Sequence, residues 1–352
     1  MQTMANSPVE ARRLALLDQL FPAGVPPLWC PLLTHYNENG RIDYVRNAAH
    51  LRHLAPHVKA FLIPGSTSDG WELNHDEFWE LLDFALDKVQ ALELDLLIGV
   101  LKADSREALE TLNQVQNHIR EVTKEPDMGK ALLKARVRGF AICAPRGKSV
   151  SQSEMERGLT PILELGQPIA LYQLPQVTEN EMSAELVGEL ANRFPNFILF
   201  KDSSGADRLV SSGRAPGGVF TMRGAEGDYV RWLRAAGGPY SGFLLSTANC
   251  FAAELDQMIS SSNYGNLDLA RNLSDRITGV INEVFELVRP MQAGNIYTNA
   301  NKAIDHFFAH GLGDVSPPRL HSGVCLPPEI LRKTKEILLC YAFMPAKGYM
   351  SK

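Results

Sequence analysis

Eight short apolar runs recur along residues 28–246, and each is followed by a segment whose apolar positions have helical spacing. One run and its helix together span about 29 residues, which is the size of a βα unit. Eight such units predict an α/β fold of the closed (β/α)8 TIM barrel type. The predicted strands are Leu28–Thr34, Ala60–Gly65, Leu96–Val100, Gly139–Ala144, Pro168–Gln173, Asn196–Lys201, Val219–Arg223 and Gly242–Ser246.

A doubly wound open sheet is the rival fold, and it normally carries a glycine-rich turn after its first strand. Residues 34–40 read THYNENG, without a G-x-G-x-x-G pattern, so the barrel is favoured. The predicted domains are an N-terminal helical extension over residues 1–27, the barrel over 28–259 and a C-terminal all-helical extension over 260–352. Residues 124–134 are expected to lengthen the third crossover.

Composition restricts the class of protein. The chain has 35 Lys and Arg against 40 Asp and Glu, and its formal charge of −5 comes without a basic stripe for nucleic acid. Its longest apolar runs fall far short of the roughly 18 residues that a membrane-spanning helix needs. Charged residues interrupt the first 20 positions, which is atypical of a secretory signal. We therefore expect a cytoplasmic protein with neither a nucleic-acid nor a membrane partner.

The cysteine and histidine patterns do not indicate a metal site. The cysteines are widely spaced, without a C-x-x-C pair, and we expect buried free thiols. His50, His53 and His57 could share a helical face, but Pro56 is expected to end that helix, which leaves a surface cluster. The five cysteines are Cys30, Cys143, Cys250, Cys325 and Cys340.

Lys201 ends the sixth predicted strand and is the first candidate for chemistry, because the active site of such a barrel lies where the strands end. By strand alternation it shares a face with Leu199 and Phe197, where a charged amine is costly to bury. It therefore either reaches solvent at the rim or is held uncharged as a nucleophile. Tyr172 ends the fifth strand, and because adjacent strands lie about 4.8 Å apart its phenol can reach the amine.

A loop rich in hydroxyl groups follows the second strand, with the sequence GSTSDG over residues 65–70. Such a loop is either a solvated turn or a cradle whose backbone N–H groups and hydroxyls bind a small carboxylate. The lysine and the phenol favour the second interpretation. The three features together predict a site for a small keto acid.

These stretches resemble the pyruvate-dependent Schiff-base aldolases and lyases, the superfamily of dihydrodipicolinate synthase and N-acetylneuraminate lyase. The similarity extends from about residue 28 to the end of the barrel, and the helical extension also suits that superfamily. The motifs G-[ST]-T, Y-x-x-P and K-D-x-x-G occur in order, each at a strand end. The matching stretches are PLLTHYNENGRID (31–43), PGSTSDGWEL (64–73), LYQLP (171–175), FKDSSG (200–205), RGAEGD (223–228) and GFLLSTAN (242–249).

The resemblance implies roles for these residues. Lys201 corresponds to the lysine that forms the imine and Tyr172 to the tyrosine that transfers protons. Gly65, Ser66 and Thr67 correspond to the loop that binds the substrate carboxylate. The covalent imine on Lys201 would make a separate cofactor or metal unnecessary. The expected partners are a 2-keto acid such as pyruvate and an aldehyde, in a homo-oligomer that is a dimer or a tetramer.

The remainder of the substrate is expected to contact residues beyond the lysine and the carboxylate loop. Gly224 and Glu226 follow the seventh strand, and Ser246 ends the eighth, where sialic acid lyases bind the sugar. Arg146 or Lys148, on the fourth loop, is expected to contact an anionic or hydroxylated acceptor. Dihydrodipicolinate synthases carry tyrosines on that loop and an arginine at the position of Val177, so both departures argue against that activity.

We therefore predict an aldolase or lyase that reversibly joins or cleaves a 2-keto acid and an aldehyde. One alternative is a dehydratase that acts on a keto-deoxy sugar acid through the same lysine. Another is a binding homologue without turnover, since Ser68 and Asp69 replace a usual glycine and glutamate of the loop. A metal-dependent barrel aldolase is disfavoured, because we find no cluster of His, Asp and Glu at the strand ends.

Overall fold

The computed structural model describes residues 7–213 and 216–351, and its eight strands form a closed barrel in chain order. Neighbouring strands run parallel, so the predicted (β/α)8 TIM barrel is confirmed. The strands are β1 (Leu28–Pro31), β2 (Ala60–Ile63), β3 (Asp95–Val100), β4 (Val137–Cys143), β5 (Ile169–Gln173), β6 (Phe197–Asp202), β7 (Phe220–Arg223) and β8 (Gly242–Leu244).

Helices follow the strands and also form the predicted C-terminal part. The helices after β8 are α11 (Ala252–Asn263), α12 (Leu267–Val288), α13 (Ile296–His310) and α14 (Pro328–Cys340). The earlier helices are α1 (Pro8–Leu20), α2 (Tyr44–Leu54), α3 (His75–Ala91), α4 (Ser105–Thr123), α5 (Met128–Lys134), α6 (Gln152–Glu164), α7 (Pro175–Thr178), α8 (Ala184–Arg193), α9 (Arg208–Ser211) and α10 (Tyr229–Trp232). Short 3-10 turns occupy Ser66–Ser68, Arg234–Ala236 and Ser246–Asn249.

Side-chain caps determine where several of these helices begin. Asn74 accepts a hydrogen bond from the Glu77 N–H at the start of α3, and the Glu77 carboxylate accepts one from the Asn74 N–H. Ser151 and Glu154 make the same reciprocal pair before α6. Such capping boxes satisfy N–H groups that have no partner within the helix.

The first strand is shorter than predicted. Pro31 ends β1, whereas the apolar run suggested a strand up to Thr34. The Leu33 N–H donates instead to the side chain of Asn249 at 2.8 Å, which replaces a strand partner. Residues 124–134 do lengthen the third crossover, and α5 lies within them. Residues 1–6 of the predicted N-terminal extension and residue 352 of the C-terminal one lie outside the described residues.

One compact unit combines the described parts of residues 1–27, 95–225 and 239–243. In it, α1 packs against β6 and α8. The buried guanidinium of Arg13 on α1 donates through Nε to the Phe197 carbonyl at the start of β6, at 2.7 Å. The N-terminal extension is therefore fixed to the amino-terminal end of the strand that carries Lys201.

The second compact unit combines residues 28–94, 226–238 and the described part of 244–352. Helices α11 to α14 pack on one another here, with α12 in contact with the other three. The face of α12 that carries Ile277, Val280 and Val284 is fully buried. No helix among the described residues combines the length and apolar character needed to cross a lipid bilayer.

Two expectations about burial are wrong. Cys325 and Cys340 are exposed, because one lies in the loop after α13 and the other in the last turn of α14, on the surface. His50 is fully buried rather than part of a surface cluster, although α2 does end at Leu54, before Pro56. The other three cysteines are buried free thiols, as predicted.

Candidate active site

Strands β5 and β6 bring Tyr172 and Lys201 together. The two residues are Cα partners in the parallel pairing of these strands. The Nζ atom of Lys201 lies 4.0 Å from the centroid of the Tyr172 ring. Both side chains are buried, and Lys201 is only 5% exposed. A buried amine in contact with a phenol is an arrangement that can carry nucleophilic and proton-transfer chemistry.

The neighbouring strands supply a low-polarity wall beside this pair. Cys143 of β4 aligns with Tyr172, and Met222 of β7 aligns with Lys201. Burial raises the pKa of the Cys143 thiol to about 12, and the positive charge of Lys201 opposes that shift. The thiol therefore stays protonated near neutral pH and is a packing group, which agrees with its sequence interpretation.

Gly224 leaves the space that the Lys201 side chain occupies. A Cβ atom at position 224 would collide first with Oγ of Ser203 and would also lie 2.7 Å from Cε of Lys201, closer than real Cβ contacts. The Gly224 N–H donates to the Asp202 carbonyl at 2.6 Å, so the backbone cannot move away without breaking this bond. Gly224 therefore lies beside the Lys201 side chain, and its substrate-binding role stays a prediction.

We expect Gly224→Ala to displace the Lys201 amine and to slow imine formation with pyruvate by about 10-fold or more, because a misplaced nucleophile loses its orientation. Borohydride trapping followed by intact mass measures this rate. Gly188→Ala is the matched control, since a Cβ there meets no atom within 4 Å. Equal trapping rates in both variants would contradict the assigned role of Gly224.

A buried polar network holds the backbone next to Lys201. Tyr240 donates to the Asp207 carboxylate at 2.7 Å and to the Asp202 carboxylate at 3.2 Å. Arg223 forms a two-point ion pair with Asp207. Burial raises the pKa of Asp202, and hydrogen bonds from Ser204 oppose that shift. The network connects the carboxyl ends of β6 and β7 and was not predicted from the sequence.

The hydroxyl-rich loop after β2 forms a 3-10 turn over Ser66–Ser68. Ser68 is fully buried, and its hydroxyl donates to the Leu32 carbonyl while it accepts from the Gly65 N–H. The third hydroxyl of the predicted cradle is therefore used internally, and only Ser66 and Thr67 can serve a ligand. Over the described residues, the backbone N–H groups of Ser66 and Thr67 have no protein acceptor.

Side chains of helix α13 and its N-cap donate hydrogen bonds to backbone carbonyls of the same loop. The Thr298 hydroxyl donates to the Thr67 carbonyl at 3.1 Å, and the Asn295 amide donates to the Ser66 carbonyl at 3.5 Å. Lys302, one turn further along the helix, lies 3.6 Å from the carboxylate of Asp69. These contacts were missed from the sequence. The available signal was polar residues at helical spacing within an otherwise apolar helix.

Glu226 and Ser246 are brought into direct contact. Glu226 accepts hydrogen bonds from the Ser246 hydroxyl and the Thr247 hydroxyl, both at 2.6 Å, and from the Tyr229 hydroxyl at 3.0 Å. Asn301 of α13 donates to the Ser246 hydroxyl at 3.1 Å. The prediction named Glu226 and Ser246 and missed Thr247, Tyr229 and Asn301. A half-buried carboxylate with three hydroxyl neighbours can bind hydroxyl groups of a polyol or sugar acid.

Arg146 lies in the exposed loop after β4. Its N–H donates to the Ala103 carbonyl at 2.8 Å, and its guanidinium lies 3.9 Å from the Glu179 carboxylate. The side chain of Asn180 donates to the carbonyls of Pro145 and Gly147, which fixes the backbone of the loop. The backbone of Arg146 is therefore fixed, whereas its exposed side chain makes only a weak ion pair. The side chain is thus able to contact an acceptor substrate.

A buried cluster of His35, His50 and Asp305 was not predicted, and its ligand atoms lie within 4.8 Å of one another. His35 and His50 share a hydrogen bond of 3.0 Å, and Asp305 accepts from Arg46 and from Tyr349 at 2.9 Å. Burial and the charge of Arg46 hold the pKa of His35 well below its usual value. The guanidinium of Arg46 repels a cation at this position. The cluster instead joins α2, α13 and the C-terminal segment by hydrogen bonds.

A sequence model of the dihydrodipicolinate synthetase family matches residues 123–295, which contain both Lys201 and Tyr172. The match covers 173 of the 352 residues, and it supports the resemblance to the dihydrodipicolinate synthase superfamily. Members of this superfamily are lyases of the aldolase type. The motifs at the ends of β2, β5 and β6 identified the same superfamily from the sequence alone.

Curated relatives match most of the chain at low identity. A 4-hydroxy-tetrahydrodipicolinate synthase from Lactococcus lactis subsp. lactis (strain IL1403) is 24% identical over 262 residues, which cover 74% of this chain and 81% of the relative. The protein of the same name from Methanospirillum hungatei JF-1 is 22% identical over 275 residues, covering 77% of this chain and 87% of the relative.

Solved structures show the same fold. YagE, a prophage protein of the dihydrodipicolinic acid synthase family from E. coli K12 solved in complex with pyruvate, superposes with a TM-score of 0.70 at 18% identity. The superposition covers 90% of this chain and 98% of YagE. A variant of the 2-keto-3-deoxygluconate aldolase from Sulfolobus solfataricus, in complex with L-2-keto, 3-deoxy-galactonate, gives a TM-score of 0.64 at 18% identity, covering 90% and 96%.

Proposed function

We propose that the chain is an aldolase or lyase that forms an imine with pyruvate or a related 2-keto acid and joins it to, or cleaves it from, an aldehyde. The observation that carries the proposal is the buried Lys201 amine in contact with Tyr172 at the ends of adjacent strands. Within this superfamily of lyases, these two residues match the imine-forming lysine and the proton-transferring tyrosine.

In the cleavage direction, the uncharged Lys201 amine adds to the keto carbon of the substrate, and loss of water gives a protonated imine. The bond to the hydroxyl-bearing carbon then breaks, and its electron pair moves into the imine to give an enamine. Tyr172, which gives its phenol proton to the departing water during imine formation, accepts the hydroxyl proton as the aldehyde forms. Protonation of the enamine and addition of water then release the 2-keto acid and the free lysine.

In this proposal, the loop of Gly65, Ser66 and Thr67 binds the carboxylate of the keto acid. Two features support that role. The N–H groups of Ser66 and Thr67 have no acceptor among the described residues, while the carbonyls of both residues are occupied by side chains of α13. Successive unpaired N–H groups form a small anion-binding concavity.

The acceptor is proposed to be a hydroxylated aldehyde. The carboxylate of Glu226, with the hydroxyls of Ser246 and Thr247, supports recognition of substrate hydroxyl groups. Arg146 supplies an exposed cation for an anionic group. Arg146 and Val177 replace residues that dihydrodipicolinate synthases use, so the proposed activity is a different aldol reaction of the superfamily.

Borohydride trapping tests the function directly. Pyruvate and borohydride together are expected to add one reduced pyruvyl group to each chain, at Lys201, whereas borohydride alone adds nothing. Intact mass and a peptide map give the stoichiometry and the position. A chain that gives no adduct with pyruvate or other 2-keto acids contradicts the proposed chemistry and favours a binding protein without turnover.

The products separate an aldolase from a dehydratase that uses the same lysine. Incubation with keto-deoxy sugar acids is expected to release free pyruvate and an aldehyde. A dehydratase would instead break a C–O bond and keep the carbon chain intact. Quantifying pyruvate against consumed substrate measures this difference, and a carbon skeleton that stays whole would contradict the aldolase assignment.

A further inference from the structure

Asp69 ends the carboxylate loop in a conformation that needs support. Its φ of 59° lies in the left-handed region, which is uncommon for residues other than glycine. Its carboxylate is buried and accepts a hydrogen bond from the Tyr36 hydroxyl at 3.0 Å. The same carboxylate oxygen lies 3.6 Å from Nζ of Lys302. The loop therefore ends in a buried ion pair with helix α13.

Lys302 has no exposure to solvent, so its position carries a high desolvation cost. Its amine donates to the Arg319 carbonyl at 3.1 Å and lies 4.5 Å from the centroid of the Tyr36 ring. An apolar side chain of similar volume could fill this space without the cost of burying a charge. The charge at this position is therefore better explained by its effect on Asp69 and its surroundings than by packing.

The remaining residues of the loop are fixed by the same two segments, namely the residues that follow β1 and helix α13 with its N-cap. The Thr34 hydroxyl donates to the Ser68 carbonyl at 2.9 Å. Thr298 and Asn295 hold the carbonyls of Thr67 and Ser66, as described above. Every carbonyl from Gly65 to Ser68 is thus occupied, which holds the N–H groups of Ser66 and Thr67 in one orientation.

The charge of Asp69 creates a specific problem for an anion site. A carboxylate two residues from Thr67 repels a second carboxylate bound at the Ser66 and Thr67 N–H groups, and the repulsion is strong where water is excluded. A buried ammonium group next to Asp69 cancels that field. The same carboxylate also holds the loop by accepting the hydrogen bond from the Tyr36 hydroxyl.

We propose that Lys302 is a positioning residue for substrate binding: its ion pair with Asp69 fixes and neutralises the loop so that the Ser66 and Thr67 N–H groups bind the carboxylate of the keto acid. The inference rests on the proposed function, because it assumes that this loop binds a keto-acid carboxylate. It adds a residue of the C-terminal helical part, outside the barrel, to the determinants of substrate affinity.

The test compares a charged with an uncharged keto substrate. In Lys302→Met, the pyruvate concentration for half-maximal borohydride trapping is expected to rise by about 10- to 50-fold, because a charge-assisted anion site loses its organisation. The maximal trapping rate is expected to stay within about threefold, since the lysine that reacts is unchanged. With methyl pyruvate, which lacks the carboxylate charge, half-saturation should change by less than about twofold.

Lys333→Met is the matched control, because Lys333 forms an exposed ion pair with Glu329 on α14. It should leave both half-saturation values unchanged. If the single Lys302 variant does not fold by circular dichroism, the double variant Lys302→Met with Asp69→Asn carries the same comparison, since it leaves no uncompensated buried charge. Because the double variant also lacks the repelling carboxylate, its loss of pyruvate affinity is expected to be smaller, about threefold, and to be absent with methyl pyruvate.

The outcomes separate this inference from the proposed function. A wild-type chain that gives no adduct contradicts the proposed function and the inference with it. A wild-type chain that gives an adduct, together with a Lys302 variant that loses pyruvate and methyl pyruvate equally or loses neither, overturns the positioning role alone. A selective loss for pyruvate supports it.

Discussion

Lys201→Arg and Lys201→Met are expected to abolish trapping by pyruvate and borohydride and to lower turnover by at least about 10³-fold. Arginine keeps the positive charge, but because it stays protonated it cannot add to a carbonyl carbon. Methionine keeps the length and the buried character of the side chain without an amine. Loss in both variants would therefore identify the amine, rather than the charge or the packing, as the reactive group.

A peptide map gives the decisive control for this prediction. Lys302 is a second buried lysine, and burial lowers its pKa, so it is the natural competitor for imine formation. We expect the reduced adduct on the peptide that contains Lys201 in the wild-type chain and none on the peptide that contains Lys302. An adduct that persists at full stoichiometry in both Lys201 variants would refute the assignment of the nucleophile.

The barrel could be predicted because each strand and each helix of its repeat has a recognisable local pattern of apolar residues. Each strand of a parallel barrel is buried on both faces, so it reads as a short apolar run, and each helix reads as a one-faced amphipathic segment. Strands β4 and β6 therefore appear within two residues of their predicted positions. The predicted end of β1 was less accurate, because the Leu33 N–H donates to the side chain of Asn249, which is distant in sequence.

Lys201 and Tyr172 could be found for the same reason. A polar residue at the end of an apolar strand breaks the local pattern, and the barrel topology then places neighbouring strand ends side by side. The pairing of β5 and β6 aligns these two residues directly. Two features of the sequence, one local and one topological, were enough to predict that these two side chains lie together.

The polar face of α13 could not be predicted in the same way. Thr298, Asn301, Lys302 and Asp305 are all buried, although such residues on a helix are ordinarily exposed. Their burial depends on contacts with loops that are more than 200 residues away in sequence, such as Thr67. The sequence pattern alone does not show which distant loop covers a helix, so the burial of these residues was not predicted.

Arg13 illustrates the same difficulty at the other end of the chain. The spacing of Arg13, Leu17 and Leu20 indicates one helical face, and all three residues are buried. An arginine at the edge of an apolar face is normally expected to extend its charged end into water. Here its guanidinium instead finds backbone carbonyls of residues 191–217, which only the folded structure brings together.

Arg13→Met is expected to lower the free energy of unfolding by about 3 kcal/mol, because several charge-assisted hydrogen bonds are lost together and buried acceptors are left without donors. The guanidinium donates to the carbonyls of Phe197 at 2.7 Å and Phe194 at 2.9 Å, and also to those of Ala191 and Gly217. Chemical denaturation and hydrogen exchange of α1 measure the loss.

Arg12→Met is the matched control, since Arg12 is the exposed neighbour on the same helix and should change stability by less than about 0.5 kcal/mol. Arg13 binds the first residue of β6, and Lys201 lies four residues further, about 13 Å along an extended strand. The folded Arg13 variant should therefore trap pyruvate with an unchanged half-saturation concentration. A large loss of pyruvate affinity without a loss of stability would contradict this interpretation. It would mean that α1 affects the reaction at Lys201 rather than the stability of β6.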